Sequence, residues 1–139
     1  MSERSPRTIE EVYGDASITP MLSVRHGARA VDFYEAAFAA KTLFRFDAED
    51  GSVIAKLAVG KAEFWVSDES PEHGNFSPES IGGTSVRLIV VLDDPHAAFD
   101  YAVTAGAKVL CPVTDEPYGW RIGRILDPFG HVWEIGKEI

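Results

Sequence analysis

Apolar and polar positions along the chain run through one pattern twice. Residues 1–17 carry no periodicity and read as a polar arm, open to partial disorder. Residues 18–24 read as a strand, with Pro20 arguing for an edge position or a start beside an irregularity. Residues 27–39 read as a helix: Ala30, Tyr34, Ala37 and Phe38 share a stripe, and Arg29, Asp32 and Glu35 lie off it. Three short strands follow at 42–47, 53–59 and 62–67. Ala48-Glu49-Asp50-Gly51 and Gly60-Lys61 supply the turns between them. This first unit is β-α-β-β-β.

Residues 68–83 are polar and rich in Ser, Pro and Gly, a loop long enough to be functional or to join two units. The pattern then returns. Residues 84–92 read as a strand, Asp94 caps a helix with Pro95 at its first position, and Gly106 ends it. Strands at 108–113, 120–126 and 131–135 complete a second β-α-β-β-β unit. Displaced by 67 positions, Ala30 falls on Ala97, Tyr34 on Tyr101, Ala40 on Ala107, Lys41 on Lys108 and Leu43 on Leu110. The shared element order and these identities point to an internal repeat. Two four-stranded sheets, each covered by one helix, leave two sheet faces that can curl into a cup for a ligand.

The last two strands meet at Asp127-Pro128-Phe129-Gly130, a tight turn in which Pro128 presets φ and Gly130 accepts a positive one. Alternation beyond it points Val132 and Glu134 one way and His131, Trp133 and Ile135 the other. Glu134 is thus a carboxylate in an apolar strand, placed either at a wet edge or in a pocket with a partner. Arg87 is a similar case, because Val86, Leu88, Val90 and Leu92 face one side of its strand and Ile89 and Val91 share its own.

Composition narrows the setting. The chain has 139 residues, 45% hydrophobic and 25% charged, with a net charge of −9. That is one globular domain's worth of chain, and its charge argues against nucleic acid or an anionic membrane as partner. No run of about 18 apolar residues is present to span a bilayer, and no signal peptide is visible. Cys111 is the single cysteine, so no internal disulfide is possible and a cytoplasmic location is expected. Flanked by Leu110 and Pro112, it reads as a buried small hydrophobe. His26, His73, His96 and His131 show neither i,i+4 nor HxH spacing, so no metal site is built from them.

In its ordered motifs the chain resembles the vicinal oxygen chelate superfamily, the glyoxalase I, bleomycin-resistance and extradiol-dioxygenase group. The resemblance is carried by Leu22-Ser23-Val24, Phe33-Tyr34, Ala37-Phe38 and Val59-Gly60 in the first unit. Gly82-Gly83-Thr84, Ala105-Gly106-Ala107 and Asp127-Pro128-Phe129-Gly130-His131 through Glu134 carry it in the second. Tyr118-Gly119-Trp120-Arg121-Ile122-Gly123-Arg124 with Pro71-Glu72-His73-Gly74 looks most like the phosphonate-operon-associated, glyoxalase-like branch. The resemblance implies an α+β fold of two βαβββ modules forming a cup-shaped mixed sheet, the glyoxalase/bleomycin-resistance fold, commonly in a homodimer. It divides the chain into an arm at 1–17 and one domain at 18–139, with modules at 18–67 and 84–136 and a linker at 68–83.

Metal-using members bind a divalent ion through four strand positions, which fall here on Thr19, Trp65, Arg87 and Glu134. Only Glu134 is retained as a ligand. Trp65 cannot coordinate, nor can its neighbours Phe64 and Val66, and Arg87 brings a permanent cation. The resemblance therefore implies Arg87 and Glu134 meeting in the cup without a metal, as a salt bridge in the vacated position or as a pair that orients a polar ligand group. Tyr118 and Trp120 would border the cup; Arg124 is expected to face solvent, and Arg121 has no assignable direction.

Two functions follow as expectations. One is a binding protein, without cofactor, that sequesters a small aromatic or cationic molecule such as an antibiotic, through Thr19, Trp65, Arg87, Tyr118, Trp120, Arg121 and Glu134. The other is a metal-dependent lyase, isomerase or dioxygenase that uses Glu134.

Overall fold

A computed structural model describes residues 5–139 of the chain. The two predicted units are both present. The first comprises β1 (Met21–Val24), α2 (Gly27–Phe38), β2 (Lys41–Asp47), β3 (Val53–Val59) and β4 (Ala62–Asp68); the second comprises β5 (Arg87–Val91), α4 (Pro95–Ala105), β6 (Lys108–Glu116), β7 (Trp120–Leu126) and β8 (Val132–Glu138). The sheets run β1-β4-β3-β2 and β5-β8-β7-β6. In each, the first strand pairs parallel with the last and the remaining pairs are antiparallel. The architecture is α+β, with two mixed sheets of identical strand order.

The arm is more ordered than its composition suggests. Thr8 caps a short helix, α1 (Ile9–Tyr13), in a reciprocal box with Glu11, a local device that needs no tertiary support. The expected disorder at residues 1–4 lies outside the described residues. In the 68–83 loop, a 3₁₀ turn at Pro71–His73 precedes a short helix, α3 (Pro78–Ile81). The Glu69 carboxylate accepts from the Ser77 amide and the Ser80 hydroxyl, and Arg25 lies against it. The loop is thereby fastened to the end of β1.

The helix-covered faces of the two sheets share one core. Leu22, Val24, Ala55, Leu57, Phe64 and Val66 from the first sheet join Ile125, Trp133 and Ile135 from the second, with Tyr34 and Phe99 from the helices. Phe64 meets Trp133 across the modules with ring centroids 5.6 Å apart, an edge contact of the kind aromatic pairs prefer. The outer faces are left uncovered. Strand β2 is exposed along its whole length, and Phe44, Phe46, Ile89 and Val91 stand in solvent.

Edge position also corrects the reading of Cys111. Its strand β6 is the outermost of the second sheet, and the thiol is exposed rather than buried.

A carboxylate pinned by two guanidiniums

The turn between β7 and β8 sets the register of everything around Glu134. Leu126 pairs with Val132, so two steps along each strand bring Arg124 opposite Glu134. Arg124 Nη2 donates to Glu134 Oε1 at 2.9 Å. From the parallel neighbour β5, Arg87 Nε reaches the same oxygen at 3.2 Å. Arg124 is open to solvent as expected, and because directly opposed residues of an antiparallel pair share a face it also reaches Glu134. Glu134's side chain is 12% exposed, against 58% for Arg87 and 41% for Arg124. The carboxylate is sunk in the sheet while both guanidiniums retain donors open to solvent.

The other candidate residues divide between locations. Tyr118, in the β6–β7 turn, joins Cys111, Glu116, Ile122, Arg124 and Glu134 around a hollow of about 140 Å³. Trp120 shares the outer face of β7 with Ile122 and Arg124 by alternation. Arg121 falls on the opposite face and forks onto Asp115 at 2.7 and 3.2 Å. Those hydrogen bonds hold the Asp115 carboxyl below its ordinary range.

Trp65 is on the outer face of the first sheet, its ring 6.0 Å from that of Phe44 and 5.6 Å from Lys56 Nζ. Lys56 is itself paired with Glu63 at 2.8 Å. Thr19 lies half-buried just before β1, beside Pro20, whose carbonyl accepts the Trp65 amide. The hollow at Glu134 takes its walls from the second sheet, so Thr19 and Trp65 have no part in it. Among the described residues, no group of three or more His, Cys, Asp or Glu side chains is placed to hold a metal ion.

A second acid, Asp127, carries more of the structure than its sequence setting reveals. It is 2% exposed and accepts four hydrogen bonds: from Tyr34 Oη at 2.5 Å, Trp133 Nε1 at 2.9 Å, and the Phe129 and His131 amides at 2.8 and 3.0 Å. Burial, reinforced by the Asp127 charge, pushes the Tyr34 phenol well above its ordinary pKa. Buried His131 donates Nε2–H to the Ser23 carbonyl at 2.9 Å. Asp127 and His131 thus tie the β7–β8 turn to α2 and β1. The bond from the Phe129 amide is an Asx turn, the one part of this network that a local reading can supply.

Paired βαβββ modules define the class, and comparison with known proteins bears it out. The Glyoxalase/Bleomycin resistance protein/Dioxygenase superfamily model matches residues 17–135, and the chain belongs to that superfamily. Among relatives, the uncharacterized protein Mb0911c of Mycobacterium bovis is 35% identical over 129 residues, spanning 90% of this chain and 85% of its own. TioX from Micromonospora sp. ML1 is 28% identical, with a TM-score of 0.71 over 89% of this chain and 99% of TioX. The fosfomycin resistance protein FosX of Listeria monocytogenes, crystallised with Mn(II) and sulfate, is 11% identical, with a TM-score of 0.68 over 90% of this chain and 93% of its own. The likeness to FosX is one of fold.

Proposed function

We propose that this chain binds a small aromatic molecule on the outer face of its second sheet, with no divalent metal at Glu134. The observation that supports this reading is the pair of guanidiniums on one oxygen of Glu134. A divalent ion at Glu134 would meet two fixed positive charges, and Glu116 and Cys111 of the same hollow are not grouped with Glu134 to hold one, whereas Zn²⁺, Ni²⁺ and Fe²⁺ need several N, O or S donors. The donor set does not fit such an ion. It fits a ligand oxygen instead: each guanidinium keeps donors free, and Tyr118 and Trp120 offer flat apolar surface nearby. Glu116 in the same hollow would accept from a ligand N–H or O–H. Sequestration of an aromatic compound, such as an antibiotic, is the corresponding role.

The test has two arms. Protein purified without chelator is analysed for metal, and stoichiometric Ni, Zn, Fe or Mn would overturn the proposal in favour of a metal-dependent lyase, isomerase or dioxygenase. Aromatic compounds carrying a carbonyl or carboxylate are then titrated calorimetrically against the wild type and Arg124→Ala. The proposal expects saturable binding without turnover, lost or strongly weakened in the variant.

We further propose that the functional form is a homodimer. Exposed Phe44 and Phe46 on one sheet, and Ile89 and Val91 on the other, form apolar faces of the kind that oligomers cover.

A further inference from the structure

We infer that a cavity between α2 and α4, on the helix-covered side of the molecule, is a second binding site whose ligand is a small lipophilic cation. This inference stands independently of the site at Glu134. The cavity holds about 410 Å³, within the range of roughly 300–1,000 Å³ common for small-molecule sites. Both modules build it: α2 contributes Glu35, Ala36 and Phe38, β5 contributes Val90, and α4 contributes Ala98 and Tyr101. It stays open because the helices present alanines where they approach each other, and side chains that short leave the space unfilled.

The walls are almost entirely carbon, and the one charged residue among them is Glu35. Among the described residues Glu35 forms no ion pair, and it accepts only a long hydrogen bond from Thr42 Oγ1, at 3.4 Å. Arg45, which feels the Glu35 charge, is forked onto Asp47 at 2.9 and 3.2 Å. An exposed carboxylate with no ion-pair partner among the described residues therefore lines the same apolar hollow as Phe38 and Tyr101. A cation with an apolar body satisfies all three features at once: its charge meets Glu35, its periphery meets the ring faces, and its carbon fills the hollow. The net charge of −9 concentrates cations around the molecule. The α1 helix, of this chain or of a second copy, is a poor occupant because its exposed apolar side chains flank Glu10 and Glu11, which Glu35 repels.

The experiment uses benzyltrimethylammonium as probe and its uncharged carbon isostere, neopentylbenzene, as control, followed by methyl NMR on the full chain. The cation is expected to give saturable shifts at the Val90 and Ala98 methyls and to bind roughly tenfold more tightly than the isostere. Glu35→Gln should remove most of that preference. Ala36→Leu, at an exposed helix position where folding is not at stake, should weaken binding by taking up part of the hollow. Arg124→Ala should leave binding unchanged, which separates this site from the one at Glu134. Absence of saturable shifts, equal affinity for cation and isostere, or undiminished binding in Ala36→Leu would each overturn the assignment.

Discussion

Two acids of the second module, seven residues apart, illustrate how partners decide what a charge does. Asp127 is buried among four donors that reach it from the turn, from β8 and from the other module. Its neighbour Tyr34 keeps its proton in the folded state at pH values where a free phenol has lost it. The unfolded chain ionises there, near pH 10, and the folded chain does not. Stability from this contact is therefore full below about pH 10 and falls as pH rises toward the folded value. Thermal melting followed from pH 8 to 11 should show that decline, and Tyr34→Phe should flatten it while lowering the neutral-pH stability by about 1.5–3 kcal/mol. Glu134 is the contrasting case. Its partners are about half exposed, so Glu134→Gln should cost only about 1 kcal/mol, well short of the roughly 3–5 kcal/mol of a fully buried pair. Chemical denaturation of the variant measures this, and a loss above about 3 kcal/mol would mean that the pair is desolvated in the working protein.

At the scale of elements, strand alternation and turn chemistry made most of the fold legible. Helix α2, the β3–β4 hairpin and the Asp127–Gly130 turn lie where period and punctuation put them, since those signals are local. The β7–β8 register brings Arg124 to Glu134, by counting from the Leu126–Val132 pair, a contact absent from the sequence reading, which pairs Glu134 with Arg87 alone. What local pattern could not supply is which strands become edges. That is why Cys111 reads as buried and stands exposed, and why the ties from Asp127 to Tyr34 and from His131 to Ser23, each about a hundred residues apart in sequence, left no trace in the pattern. The placement of α4 on its sheet depends on a similar unseen fit. A Cβ on Gly123 would lie 2.8 Å from both the Phe99 ring and Val113, so the absent side chain is what lets the helix settle onto β7. Gly123→Ala should cost about 1–3 kcal/mol by overpacking, read as a lower denaturation midpoint. Unchanged stability would show that α4 is free to shift outward.

For the molecule as a whole, the unresolved balance is between what the single chain buries and what it leaves bare. Its core lies on the helix side of both sheets, and no helix of the described residues is long and apolar enough to cross a membrane. Phe46 and Val91 are exposed by 58% and 62%. Each belongs to an outermost strand, where unpaired backbone groups compound the exposure of the side chains. A second copy would cover apolar face and free edge together, and a face-to-face arrangement would also close off the hollow at Glu134. The proposed dimer is tested by analytical ultracentrifugation, in which the wild type should sediment as a dimer and Phe46→Asp should shift it toward the monomer. The ligand titration then makes the link to function: if partner sheets complete the site, Phe46→Asp weakens aromatic binding at Glu134 in parallel with dissociation, although the substitution lies on the other sheet. A dimer that dissociates with ligand affinity intact would show that the second sheet alone builds the site, and a wild type that sediments as a monomer would remove the dimer from the proposal.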